Sequence, residues 1–172
     1  MQLSARTAFP DWPQYNARIT EAVAGLTAEQ LAVRASPDHG PIWALAAHLA
    51  GARLYWLCVV CGEPGLEGLD VLNPETGEGW EDDESHPRSG DELKTVLDAS
   101  WAVIAACLDR WTPAMLVATV ERPFRGSVQH HTRISILNRL FSHDAYHAGE
   151  IGQLLGTIGQ AELDLWGRRP TA

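Results

Sequence analysis

Cysteine is scarce in this chain, which contains 3 cysteines among 172 residues. So small and odd a number does not supply the disulfide framework that small secreted domains use. Long apolar runs are missing too, because the longest candidate, residues 42–61, is interrupted by His48 and Arg53, whereas a membrane span needs roughly 18–20 apolar residues. The N-terminal sequence MQLSARTAFPDWPQ has no apolar run typical of a secretory signal. We therefore expect a cytoplasmic protein without a membrane partner.

Positive charge is also in short supply. The chain has 13 Lys and Arg against 22 Asp and Glu, which gives a formal net charge of −9. Because a surface this negative repels phosphate backbones, we expect no nucleic-acid partner. The hydrophobic fraction of 45% is typical of globular proteins and excludes wholly disordered chains. The length suits one ordinary domain, so we expect a single domain over residues 1–172.

Four segments show the 3.6-residue periodicity of amphipathic or buried helices, at 12–26, 42–61, 91–110 and 132–158. Pro41 suits the first turn of the second helix, and Gly62 follows its end. Thr132 is a typical N-cap for the fourth helix, which Gly159 follows. At most one weak strand is indicated, at 117–120. The pattern predicts an all-α fold, a four-helix bundle.

The connection between the second and third long helices, residues 62–89, is long and acidic. It contains the run Glu81-Asp-Asp-Glu84, five glycines, three prolines and no lysine. Connections of this length are uncommon inside a compact domain, so this one is either a functional lid or a solvated loop. The charge run favours the solvated loop. Trp80 is the one residue in it that indicates docking against another surface.

The histidines carry the clearest chemical signal. His143 and His147 are four residues apart in the fourth helix, so both imidazoles lie on one face and suit a single metal ion. Glu150 shares that face. A third ligand should come from a facing helix, and His48 is the candidate because its neighbours are small or apolar and an unsatisfied imidazole there costs free energy. The alternative is a core histidine bonded to a backbone carbonyl.

The two histidine-bearing segments, PIWALAAHLAGARLYWL and HDAYHAGEI, resemble the DinB-like family, named for DNA-damage-inducible proteins. The similarity extends over nearly the whole chain. It implies a DinB-like four-helix bundle of unusual connectivity, a homodimer, and one divalent metal ion bound by His48, His143 and His147. The family includes bacterial thiol S-transferases and mycothiol-dependent maleylpyruvate isomerases. The isomerases place a carboxylate at one ligand position, so the three histidines here argue against isomerase activity.

Three neutral imidazoles leave coordination positions open, as catalytic metal sites do. An ion there could activate water for hydrolysis or bind a low-molecular-weight thiol as its thiolate. Imidazole donors suit zinc or nickel first, with iron or manganese as alternatives. We therefore expect a metal-dependent thiol S-transferase or hydrolase that acts on a small molecule. The alternative is a non-catalytic metal-binding dimer with a stabilising or sensing role.

Residues near the histidines have candidate supporting roles. Carboxylates often orient ligating imidazoles, and Glu150 and Asp144 are the nearby ones, although a solvated or dimer-contacting Asp144 is an equal alternative. Tyr146 and Tyr55 could donate a hydrogen bond to substrate, but each is also a typical core residue.

Two further motifs are weaker. The sequence from His143 to His147 resembles the HExxH motif of zinc peptidases, but aspartate is shorter than the catalytic glutamate and no third ligand follows downstream. Cys58 and Cys61 form a CxxC at a helix C-terminus, where the macrodipole disfavours a thiolate. We expect these two cysteines to pack as small hydrophobic residues.

Overall fold

A computed structural model describes residues 5–167 of the chain, which are mostly helical. The helices are α1 (Ala5–Ala8), α2 (Trp12–Ala24), α3 (Ala28–Leu31), α4 (Ile42–Leu54), α5 (Gly90–Arg110), α6 (Pro113–Val117) and α7 (Arg133–Thr157). A π-helical turn, Tyr55–Val60, continues α4, and a short 3-10 helix spans Trp80–Asp82. The strands are β1 (Thr119–Phe124) and β2 (Ser127–Thr132).

Side-chain caps fix where the long helices begin. The Ser89 hydroxyl accepts a hydrogen bond from the backbone N–H of Glu92 at the start of α5. The Thr132 hydroxyl does the same for Ser135 at the start of α7, which confirms the N-cap predicted there. Such caps satisfy backbone donors that have no partner within the helix. The helix α4 begins directly after Pro41, which holds an extended conformation.

The helix α4 lies at the centre of the molecule and packs against both α5 and α7, while α2 packs against α5 and α7. Apolar side chains from all four long helices form one buried cluster, because each helix turns its apolar stripe inward. Fully buried members include Trp12, Ile19, Leu49, Leu54, Leu97, Ile104, Leu137 and Ile151.

The segment Ile42–Val60 is long and apolar enough to cross a membrane by length and composition, with a mean hydropathy of 1.3. In the structure, 67% of that segment is buried inside the protein. Its apolar character is therefore accounted for by packing, as in the core helix of a soluble protein.

A buried polar network joins the four long helices. Two guanidinium nitrogens of Arg53 donate to the Asp144 carboxylate at 3.1 and 2.8 Å, and both side chains are fully buried. Arg53 also donates to Asn16 and Ser100, and the Trp12 indole N–H donates to Asp144 at 2.7 Å. Both charges in this network thus have a partner, which buried charges require.

The prediction of an all-α fold missed a small antiparallel sheet. The strands β1 and β2 pair from Thr119 opposite Thr132 to Phe124 opposite Ser127. Arg125 and Gly126 form the two-residue turn, with φ of 48° and 77°, the left-handed conformation that tight hairpins need. The sequence pattern was weak because both strands are short and Pro123 is unfavourable in a strand.

The connection from α4 to α5 follows the surface of α4. Leu72 and Gly79 form an isolated antiparallel bridge, and the side chains of Val71 and Leu72 are buried. Trp80 packs against the core cluster, with the Arg88 guanidinium 4.0 Å from its ring centroid. The short helix Trp80–Asp82 is thereby held against α4.

Candidate metal centre and its cleft

Three imidazoles meet where α4 faces α7. The Nε2 atom of His143 lies 3.0 Å from that of His48 and 3.2 Å from that of His147. His143 and His147 come from successive turns of α7, and His48 comes from the middle of α4. The three candidate ligand atoms all lie within 4.8 Å of one another. The residues predicted from spacing and local polarity are thus brought together.

These distances fit a shared metal ion. Two nitrogens about 2.1 Å from one ion stand about 3.0 Å apart at a right angle and about 3.4 Å apart at the tetrahedral angle. The separations of 3.0 and 3.2 Å fall in that interval. Three imidazole nitrogens are also a donor set that zinc, nickel and iron accept.

Two carboxylates orient the imidazoles from behind. Glu81 Oε1 lies 2.8 Å from His48 Nδ1, and Glu150 Oε2 lies 2.6 Å from His147 Nδ1. When Nδ1–H donates to a carboxylate, the Nε2 lone pair is left free and points to the centre. Within the described residues, the buried Nδ1 atom of His143 has no hydrogen-bond partner. An ion at the centre would engage its other nitrogen.

Burial favours the neutral form of His143 and His147. Desolvation is the main cause that lowers the pKa of His143 to about 3. The positive charges that neighbouring groups carry or can carry lower it further; they belong to His147, His48, Arg53 and Arg139. Desolvation also lowers the pKa of His147, while its bond to Glu150 acts in the opposite direction. A neutral imidazole is the form that binds a metal ion.

Asp144 belongs to the buried network and not to the surface. Its carboxylate is fully buried and is held by Arg53 and Trp12, so the solvated alternative for this residue is wrong. Asp144 follows His143 by one position on α7, and the rotation of about 100° between successive helical residues turns its side chain away from the imidazoles and into the core. The carboxylate partner of His48 is supplied by another segment altogether.

The two tyrosines occupy different places. Tyr146 is 65% exposed and lies outside the residues that line the cleft described below. Its phenol lies beside Glu150, and the hydrogen bond to that carboxylate raises the pKa of the phenol. Tyr55 does line the cleft, and its hydroxyl accepts a hydrogen bond from Arg122 Nε at 2.9 Å.

Glu81 is the residue of the site that sequence reasoning missed. It belongs to the acidic run expected to be solvated, yet it bonds to His48 across 33 residues of sequence. The sequence did contain one signal for this contact, which is Trp80, because an aromatic residue inside an acidic segment indicates docking. Trp80 packs against the core and thereby brings its neighbour Glu81 onto α4.

A cleft of about 650 Å³ opens beside the candidate metal centre. His48 and His143 line it, so two of the three imidazoles face the space. Its remaining walls come from the end of α4, the hairpin, the connection after α4 and the middle of α7. The aromatic and cationic lining residues are Tyr55, Trp56, Phe124, Arg122, Arg125 and Arg139.

The CxxC cysteines lie apart from this cleft. Cys58 and Cys61 are partly buried, and desolvation raises the pKa of each thiol to about 11. Thiols with such values are almost entirely protonated near neutral pH and are poor nucleophiles or metal ligands. They pack against the core cluster, as the sequence suggested.

Comparison with known proteins identifies the family. The family model of the DinB superfamily matches residues 14–151, which include all three histidines of the centre. The chain belongs to the DinB superfamily. No curated protein matches its sequence.

A solved structure supports the DinB fold. The crystal structure of a DinB-like protein from Bacillus cereus ATCC 10987 is similar to this chain, with a TM-score of 0.65 at 20% sequence identity. The similarity covers 98% of this chain and 100% of that one. At this identity the likeness establishes a shared fold.

Proposed function

We propose that this DinB superfamily protein is a metal-dependent enzyme that binds one divalent ion through His48, His143 and His147. The observation that carries the proposal is that two of these histidines line a cleft of about 650 Å³ while their Nε2 atoms converge. A purely stabilising ion needs no adjoining cleft, whereas a small-molecule substrate does. This favours an enzyme over a non-catalytic metal-binding dimer.

Zinc or nickel is the expected ion, with iron or manganese as alternatives. When bound, it would supply Lewis acidity that lowers the pKa of a coordinated water or low-molecular-weight thiol. Thiol S-transfer is the reaction that the resemblance to bacterial thiol S-transferases favours. Hydrolysis is the alternative that the same residues would serve.

The chain's own residues would prepare the site for either reaction. Glu81 and Glu150 hold His48 and His147 with their Nε2 lone pairs toward the centre. Burial keeps His143 neutral. The aromatic rings of Trp56 and Phe124 cover part of the cleft and would exclude water from a bound substrate.

The metal proposal is tested by elemental analysis of untagged protein. Wild type should carry one divalent ion per chain, and His48→Ala, His143→Ala and His147→Ala should each lose it. His39→Ala, His86→Ala and His130→Ala are matched controls and should retain it, because these imidazoles lie outside the cluster. Loss of the ion in His86→Ala with retention in His48→Ala would refute the ligand set.

The enzymatic proposal is tested on the metal-loaded protein. A low-molecular-weight thiol with an electrophilic aryl halide tests S-transfer, and an activated ester tests hydrolysis. Turnover should require the ion and should disappear in His147→Ala. If the loaded wild type turns over neither class of substrate, the non-catalytic metal-binding alternative takes precedence.

The remaining expectations stay predictions. They are a homodimer, a cytoplasmic location, and the absence of nucleic-acid and membrane partners. Sedimentation analysis of the metal-loaded protein checks the first of these, and a dimer should be found at micromolar concentration.

A further inference from the structure

Three arginines line the cleft beside the histidines, together with the three carboxylates of Glu75, Glu81 and Glu121. These arginines are Arg122, Arg125 and Arg139, in a chain whose formal net charge is −9. Within residues 5–167, no carboxylate oxygen lies within 4.0 Å of their guanidinium nitrogens. The arginines that do have carboxylate partners are Arg6, Arg34, Arg53, Arg88 and Arg110.

Two of these three arginines, Arg122 and Arg139, contact the same aromatic ring. The guanidinium carbons of Arg122 and Arg139 each lie 4.9 Å from the ring centroid of Trp56. Arg122 is also fixed by hydrogen bonds to Tyr55 and Gln129, which hold its planar group in place. Both arginines lower the pKa of His131, whose ring packs on Trp56, although desolvation is the larger cause. Both guanidinium groups therefore lie beside the Trp56 ring, which forms part of the cleft wall.

Arg139 and the partner of Arg122 stand a few turns of helix from the histidines of the candidate metal centre. Arg139 precedes His143 by four residues on α7, a rise of about 6 Å along one helix face. Tyr55, which holds Arg122, follows His48 by seven residues along α4 and its π-helical turn, a rise of about 10 Å. A small molecule about 6–10 Å long would therefore span such a separation.

Among the described residues, the carboxylates at the cleft form no ion pair with these arginines. Glu81 is bonded to His48, and Glu75 and Glu121 are exposed. Guanidinium groups without a carboxylate partner at the wall of a cleft are suited to oxyanions, which they bind through charge-assisted hydrogen bonds.

We propose that the cleft takes a small molecule with a carboxylate or phosphate group, and that Arg122 and Arg139 bind this oxyanion. That the other end of this molecule reacts at the histidines rests on the proposed function. The oxyanion site itself depends only on the arginines.

The test is calorimetric titration of zinc-loaded protein with succinate and, separately, with inorganic phosphate at fixed chloride concentration. Wild type should bind at least one of these anions, and the tighter one identifies the class. Arg139→Gln should weaken that binding roughly tenfold or more, and Arg139→Lys should weaken it less. Because Arg139 is exposed and makes its contact on the face of Trp56, its replacement should leave the fold intact. Arg34→Gln removes an equal charge outside the cleft and should bind as wild type does.

Wild type binding neither anion would overturn the inference, and so would Arg139→Gln binding the anion as tightly as wild type. His147→Ala separates this inference from the metal proposal. Anion binding that persists in His147→Ala supports the arginine site. Anion binding that is lost in His147→Ala but kept in Arg139→Gln would assign the anion to the histidines and overturn the inference. Elemental analysis of the same samples tests the metal proposal independently.

Discussion

At the scale of single residues, the candidate centre depends on hydrogen bonds that leave one imidazole nitrogen free. Glu81 and Glu150 occupy the Nδ1 atoms of His48 and His147, so the Nε2 atoms of those rings face His143. The histidine spacing could be read from the sequence because i,i+4 residues share a helix face. The role of Glu81 could not be read from the sequence, because its contact with His48 depends on the path of the long connection between α4 and α5.

Glu81→Ala should weaken metal binding by roughly 10–100-fold, because His48 loses the carboxylate that fixes its ring and raises its basicity. Competition with a chromophoric chelator measures the change. Glu84→Ala is the matched control, since it removes a carboxylate of the same acidic run that bonds to Arg34 instead. Equal affinity in the two variants would show that Glu81 has no part in the site.

At the scale of elements, the buried network decides how α4 and α7 face each other. Arg53 follows His48 on α4 and Asp144 adjoins His143 on α7, so the same pair of helices carries both the ion pair and the histidines. Periodicity predicted the long helices well. Periodicity could not predict the ion pair between Arg53 and Asp144, because a buried charge has no distinctive sequence pattern. It also could not predict the hairpin, because the short strands have little apolar alternation.

Asp144→Ala should destabilise the protein by about 3–5 kcal/mol, because it leaves the Arg53 charge buried without its partner. Chemical denaturation monitored by circular dichroism gives the free energy of unfolding. Asp98→Ala removes a carboxylate from an exposed pair with Lys94 and should cost at most about 1 kcal/mol. A similar small cost for both variants would contradict the structural role assigned to the network.

At the scale of the whole molecule, a metal ion would link regions that are distant in the sequence. His48 comes from α4 and His143 and His147 from α7, while Glu81 adds the connection between α4 and α5. Any ligand that binds the folded chain and not the unfolded one stabilises the fold. Metal binding should therefore be coupled to global stability.

Removing the ion with a chelator should consequently lower the unfolding temperature of the wild type. A ligand at about 100 times its dissociation constant stabilises by roughly 2.7 kcal/mol, and each kcal/mol shifts Tm by roughly 2–4 °C in a chain of this size. The expected loss is thus about 5–11 °C, measured by scanning calorimetry. His147→Ala should show no loss on chelation, because its site lacks a ligand. An unchanged wild-type Tm would mean that no ion links α4 to α7 in the folded protein.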